Sequence, residues 1–229
     1  MMDTLVGRFA PHICESCGAT GSTLCNCCNK DILAKLWIHC IACLQPIDPK
    51  YRRLNGAICA SCRRRLPFRR VFVVGERSGV LQRLVGNFKY LSRRDSARSI
   101  ANLLASALPD DVPDDMNIVF VPTSPKHIRE RGFDHMKLVA QALAKERHLL
   151  VQSIIKRINN QAQHSANRAK RLEQTRSAFE LENRSVPERI LLIDDIYTTG
   201  TTVQTIAKLL RQAGAKEVWL AIVARQRMQ

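Results

Sequence analysis

Apolar positions along the chain follow two regimes that meet near Leu66 and Pro67. Beyond that point Val71-Phe72-Val73-Val74 is a short unbroken apolar run, which predicts a buried strand. Val80, Leu81, Leu84, Val85 and Phe88 then recur at helical spacing, and Ile100, Leu103, Leu104 and Ala107 repeat it before Pro109. Ile118 to Val121 predicts a second strand, stopped by Pro122. From about Asp134 to Arg147 the pattern is again helical, with Leu138, Val139, Ala142 and Leu143 on the buried side. Ile190 to Ile193 predicts a third strand. Val203 to Ala213 predicts a helix closed by Gly214 as its C-cap, and Val218 to Val223 a last strand. Strands alternating with helices imply an α/β domain, a parallel sheet with helices on both faces.

The longest apolar run, Val218 to Ala224, is far below the roughly 20 residues a membrane span requires. Asp3 and Arg8 interrupt the start of the chain, unlike a secretory signal. With 45% hydrophobic residues the chain holds enough apolar surface to fold. These features together predict a soluble protein of the cytoplasm, with no membrane insertion.

The first regime is marked by cysteine. All nine cysteines lie between Cys14 and Cys62, and eight of them form four CxxC pairs: Cys14/Cys17, Cys25/Cys28, Cys40/Cys43 and Cys59/Cys62. A CxxC turn brings two thiolates to one metal, and two such turns complete a tetrahedral zinc site. Sequential pairing gives two sites, and spacing alone leaves an interleaved pairing open. Disulfides are disfavoured in a chain with no sign of export. Cys27 is left over, as a spare thiol or a substitute ligand, and His12 and His39 are left out of the ligand sets. Few large apolar residues lie in this region, so zinc is expected to supply folding energy rather than catalysis. The chain divides into a double zinc-ribbon module over residues 1–66 and an α/β domain over 67–229.

Chemistry concentrates in Leu191-Leu192-Ile193-Asp194-Asp195-Ile196-Tyr197-Thr198-Thr199-Gly200-Thr201-Thr202. The pattern predicts a strand ending in two acids, a short Thr/Gly loop, and a helix. At the carboxyl end of a parallel strand such a loop faces the ligand crevice. Gly200 allows close backbone approach, and the free N–H groups of the helix start, with the hydroxyls of Thr198, Thr199, Thr201 and Thr202, suit a phosphate. Asp194 and Asp195 are repelled by phosphate and fit sugar hydroxyls or Mg²⁺ instead. A phosphate cradle beside diol-seeking carboxylates describes a ribose 5-phosphate site. No GxxxxGK[ST] or GxGxxG competes with it.

This segment resembles the phosphoribosyl-pyrophosphate (PRPP) motif of type I phosphoribosyltransferases. More narrowly, the whole chain resembles the ComF/GntX family of competence-associated proteins, which join amino-terminal zinc ribbons to such a domain. Phe88-Lys89-Tyr90, Val121-Pro122-Thr123 with Arg129-Glu130-Arg131-Gly132-Phe133, and the stretch from Arg157 to Phe179 carry the narrower likeness. Asp134-His135 stand where the family commonly has Asn-Gln, and Gln174 where an asparagine is common. Thr198 stands where purine-specific members carry an aspartate, which argues against simple purine salvage. The resemblance implies a type I phosphoribosyltransferase fold and PRPP bound with Mg²⁺. It implies Lys89, Arg129 and Arg131 on the pyrophosphate side, a lid over 157–176, and a role in DNA uptake during natural transformation alongside competence-machinery proteins. His127, His135 and His164 are expected to be ordinary surface histidines.

Charge then separates two classes of function, a PRPP-dependent transferase in nucleotide or amine metabolism and a PRPP-binding protein that handles single-stranded DNA. The net charge is +16, of which residues 1–70 carry +7 and residues 126–176 carry +8. A small-molecule enzyme has no need of a basic zinc module as well, whereas tracking a strand's phosphates uses both. Aromatic residues for base stacking are scarce near the cysteines: Phe9, Trp37, Tyr51 and Phe68.

Overall fold

The computed structural model describes residues 12–90, 93–158, 178–182 and 185–227. Three short helices precede the sheet: α1 (Asn26–Leu33), α2 (Pro49–Asn55) and α3 (Ala60–Arg65). Then follow β1 (Arg70–Glu76), α4 (Gly79–Tyr90), α5 (Ser96–Ala107), β2 (Asn117–Phe120), α6 (Pro125–Arg131) and α7 (His135–Arg147). The chain continues through β3 (Leu150–Gln152), β4 (Ile155–Arg157), β5 (Phe179–Leu181), β6 (Arg189–Tyr197), α8 (Thr201–Gln212) and β7 (Glu217–Arg225). Five strands form one parallel sheet in the order β1-β7-β6-β2-β3, and β4 and β5 make a separate antiparallel pair.

Strand alternation sorts the core into two layers. Phe72, Val74, Leu191 and Ile193 face α4, α5 and α7, packing against Leu84, Phe88, Ile100, Leu103, Val139 and Leu143. Val71, Val73, Ile190 and Leu192 face the other way, against Val203, Ile206 and Leu210 of α8. Helices therefore cover both faces, as the alternation of elements requires.

The cysteine-rich segment is divided between the same layers. Cys14, Leu24 and Cys28 join the α4–α5–α7 side, while Trp37, Cys40, Ile41, Ile58 and Cys62 join the α8 side. The segment reaches the sheet at its β1 edge, where Ala57 N–H donates to the Val71 carbonyl at 2.5 Å and Trp37 N–H to that of Val74 at 3.4 Å. Gly56 permits the first contact, since its φ is 72° and a Cβ there would lie 1.8 Å from the Val71 oxygen. Covering β1 in this way occupies an edge that would otherwise present unpaired backbone groups.

Three boundaries differ from the apolar pattern. Helix α5 starts at Ser96, because the small buried residues Ser96, Ala97 and Ser99 pack closely without registering as apolar. Helix α8 is capped by Ala213, with Gly214 following at φ 110°. Strand β6 does not end at the two acids but runs through Tyr197, since β7 pairs with it as far as Tyr197↔Arg225. Among the described residues no helix is long and apolar enough to cross a membrane.

Candidate functional site

The two cysteine sites are built alike. In each, one CxxC pair lies in a turn closed by a short antiparallel bridge, Ile13↔Thr20 in the first and His39↔Pro46 in the second. The other pair begins a helix, with Cys25 capping α1 and Cys59 capping α3. The ligand sets are Cys14, Cys17, Cys25 and Cys28, and Cys40, Cys43, Cys59 and Cys62, each with its sulfurs within 4.8 Å of one another. The pairing is thus sequential.

Cys17 and Cys25 sulfurs lie 3.7 Å apart, as do those of Cys43 and Cys59. Zinc–sulfur bonds of about 2.3 Å in a tetrahedron give edges of about 3.8 Å, so both sets fit zinc. Crowding makes the thiols unequal. Burial opposes ionisation of Cys14, yet N–H groups of Cys17, Cys25 and Ser16 bring it down to about 6. Burial likewise opposes Cys59, which the Ser61 hydroxyl and its neighbours bring to about 6, while burial and the sulfurs of Cys59 and Cys43 push Cys62 up to about 12. A divalent cation would let all four ionise together. Cys27 is exposed and belongs to neither set. His12 pairs with Asp95 at 2.9 Å and His39 packs against Trp37, so neither is a ligand here.

The second site lies at the carboxyl end of β6. Alternation sends the two acids to opposite sides of the sheet. Asp195, buried, faces α4 and α7: Lys89 Nζ lies 2.5 Å and His135 Nε2 2.7 Å from its Oδ2. Burial alone would raise its carboxyl, but the hydrogen bond from His135 and the charge of Lys89 outweigh burial and hold it well below the usual carboxylate range. Asp194, half-buried, accepts the Asp195 N–H at 2.9 Å. Burial, and then the charge of Asp195, push its carboxyl well above the ordinary value, against Lys89 and Arg157.

Beyond Asp195 the polar network continues. His135 Nδ1 lies 2.7 Å from the Thr123 hydroxyl, which donates to Asp134 Oδ1 at 2.8 Å. Thr123 N–H donates to the other Asp134 oxygen at 3.1 Å. Asp134 also caps α7, accepting from Met136 and Lys137 N–H groups. Phe88 walls the imidazole, its ring centroid 5.8 Å from that of His135, and Phe133 packs on Phe88 in turn at 5.9 Å. The expectation of a surface histidine at position 135 is therefore corrected: it is buried, because the network satisfies both ring nitrogens. His127 is an exposed residue beside Glu130, and His164 lies outside the described residues.

The loop itself is Thr198-Thr199-Gly200, with both threonines exposed. Gly200 caps α8 in the left-handed region at φ 77°, and the Thr199 hydroxyl accepts the Thr201 N–H at 3.4 Å. Thr199 and Thr201 hydroxyls are 2.9 Å apart, and Thr201 and Thr202 begin the helix. The result is a small polar cavity lined by Asp194 and residues 196–203. Its helix N–H groups and hydroxyls can receive an anion, while the oxygens of Asp194 suit a hard cation such as Mg²⁺.

Of the expected cations, Lys89 reaches Asp195 directly, and Arg131 comes within 3.4 Å of His135 Nδ1 and stacks over Tyr90. Arg129 is exposed on α6 and forms no ion pair among the described residues. The lid expected over 157–176 lies almost wholly outside the described residues. Thr123, Asp134 and Arg225, unremarked in the linear pattern as site residues, contact the loop or its network. Asp134 alone carried a local signal, as an N-cap residue before a helical run.

A parallel sheet with a Thr/Gly loop between the end of β6 and the start of α8 is the arrangement found here, and residues 128–229 match the family described as "Phosphoribosyl transferase domain". The chain is 37% identical over 100 residues to the Competence protein ComFC of Streptococcus pneumoniae, a match spanning 44% of each chain. It is 26% identical over 217 residues to Competence protein F of Haemophilus influenzae, covering 88% of this chain and 90% of that one. The chain is thus similar to competence proteins, over part of its length to the first and over most of it to the second. Among solved structures, the glutamine PRPP amidotransferase of B. subtilis complexed with ADP and GMP aligns at a TM-score of 0.42 and 22% identity, over 59% of this chain and 30% of that one.

Proposed function

We propose that the protein binds PRPP with Mg²⁺ at the Asp194–Thr202 loop, binds single-stranded DNA on its basic surface, and serves DNA uptake in natural transformation. The observation that carries the first part is the α8 start beside Asp194, with Gly200 and the Thr199 and Thr201 hydroxyls at its mouth. Loop N–H groups would hold the 5-phosphate, Asp194 would face the ribose hydroxyls, and Lys89 and Arg131 would lie toward the pyrophosphate. Mg²⁺, when bound, offsets the charge of the pyrophosphate.

Names of relatives, competence proteins and proteins of DNA utilization, support the role in uptake. Exposed Arg53, Arg64, Arg65 and Arg69 around α2 and α3 support the contact with a strand backbone. Stacking contributes little there, since Trp37 and Phe68 are buried in the core.

Retention of labelled PRPP with Mg²⁺ on filters tests the site. Asp194→Ala/Asp195→Ala is expected to lose it by more than about tenfold, and equal retention would overturn the assignment. A salt titration of single-stranded DNA affinity should give a steep negative slope, and Arg64→Glu/Arg65→Glu should flatten it by about 1–2. Absence of binding at low salt removes the DNA part. The alternative, a PRPP-dependent transferase of nucleotide or amine metabolism without a nucleic-acid role, requires pyrophosphate release with some base or amine acceptor.

A further inference from the structure

Arg225, the last residue of β7, is only 4% exposed. A buried guanidinium must find hydrogen-bond acceptors and opposite charge. Its Nε donates to the Ile41 carbonyl at 2.7 Å, and its Nη1 donates to the Tyr197 carbonyl at 3.2 Å and to that of Gln226. The guanidinium also lies over the Tyr197 ring, 5.0 Å from its centroid. Among the described residues no carboxylate stands within ion-pair distance of it.

The two principal acceptors belong to different parts of the protein. Ile41 follows Cys40, a fully buried ligand of the second cysteine site. Tyr197 is the last residue before the phosphate loop, and its ring packs on that loop so closely that a Cβ at Gly200 would lie 2.1 Å from the Tyr197 hydroxyl. Gln204, in the first turn of α8, donates to the same hydroxyl at 3.5 Å. A continuous path thus runs from Cys40 through Ile41, Arg225 and Tyr197 to Gly200.

Charge points along the same path. Four thiolates around Zn²⁺ carry about two net negative charges, a counter-charge of the right sign for an arginine that lacks a carboxylate. Burial pushes the Arg225 guanidinium down from its ordinary value, and Tyr197 and Cys40 oppose that push. Among the described residues the first cysteine site has no such link. It packs on the opposite layer, where Thr23 meets Ser99 at 2.8 Å and Arg83 donates to the Glu15 carbonyl.

We infer that Arg225 is a positioning residue through which the second four-cysteine centre holds the 198–202 loop in its anion-receiving shape. Metal at Cys40, Cys43, Cys59 and Cys62 then supports ligand binding at the loop, while metal at the first site supports α4 and α5. The coupling is a property of the fold; only its consequence for affinity rests on the phosphoribosyl reading.

The test uses the full-length zinc-loaded protein and its variants Arg225→Lys, Cys43→Ser and Cys17→Ser. Zinc content, hydrogen exchange of peptides covering 198–204, and ribose 5-phosphate binding by calorimetry are measured on each. Exchange in the loop should accelerate by about tenfold in Arg225→Lys and Cys43→Ser, with much less change in Cys17→Ser and none in β1 peptides of Arg225→Lys. Ribose 5-phosphate affinity should fall by about the same factor in the first two. Unchanged loop exchange in Arg225→Lys, or acceleration spread evenly over the protein, overturns the coupling even if ribose 5-phosphate binds. Loop-specific acceleration with no ribose 5-phosphate binding by the wild type sustains the coupling and removes the phosphate reading. Should Cys43→Ser fail to fold, Arg225→Lys answers alone, because it keeps the charge and all eight ligands but not the fork joining two carbonyls.

Discussion

His135 and Asp195, 60 residues apart in the chain, meet at 2.7 Å between Nε2 and Oδ2. The bond joins the start of α7 to the end of β6. It also leaves Asp194, not Asp195, as the carboxylate of the two that forms no ion pair among the described residues.

Removing either end of this bond should cost stability unequally. His135→Ala leaves Asp195 its bond to Lys89 and should cost about 1–3 kcal/mol in urea unfolding, with His135→Gln recovering part. Asp195→Ala strands a buried imidazole and an ammonium together and should cost more, about 3–5 kcal/mol. Equal costs would show that Lys89 makes no use of Asp195.

The two acids should respond oppositely to pH. Asp195 is held low in the fold, so its contribution is complete above the unfolded carboxylate value of about 3.9 and fades as pH falls through its folded value. Asp194 is raised, so its contribution is present below about 3.9 and is lost as pH rises through its folded value. Asp194→Asn should therefore raise Tm at pH 7, by about 2–4 °C for each kcal/mol gained, while abolishing PRPP retention. A lower Tm for this variant would contradict the assigned environment.

Gly200→Ala should be severe for an alanine substitution. It adds a Cβ at φ 77° into the Tyr197 ring. A cost of about 1–3 kcal/mol in thermal or urea unfolding is expected, with loss of ligand binding from displacement of the loop.

Zinc content separates ligands from the spare thiol. Cys27→Ser should keep two zinc ions per chain and wild-type stability, whereas Cys17→Ser should keep one and unfold at lower temperature, as metal analysis and calorimetry would show. Loss of zinc from the Cys27 variant would return that residue to a ligand set.

Much of this was legible in the linear sequence because the signals are local. Apolar runs such as Ile190–Ile193 are strands whatever surrounds them, and the Thr/Gly loop after Asp194-Asp195 carries the chemistry proposed for it in consecutive residues. CxxC spacing likewise reports two thiolates within reach of one ion. His135 was not legible, because a histidine at a helix start looks the same whether it faces water or Asp195. Strand β6 was cut short for a related reason. Acids predict an exposed strand end, but Lys89 and His135 compensate Asp195 inside the sheet's end.

Residue spacing by itself determined the parallel α/β plan, the eight cysteines able to hold metal and the Thr/Gly loop proposed to receive an anion. Only the tertiary structure decided how the cysteines pair, that the two sites brace opposite layers of one sheet, and which aspartate is sealed. It also decided that Arg225 spans from Ile41 to Tyr197, across 184 and 28 residues of chain respectively. The physical reason is shared: each depends on contacts, whether apolar packing, charge or hydrogen bonding, between groups that are not neighbours in sequence, and those partners exist only once the chain has folded.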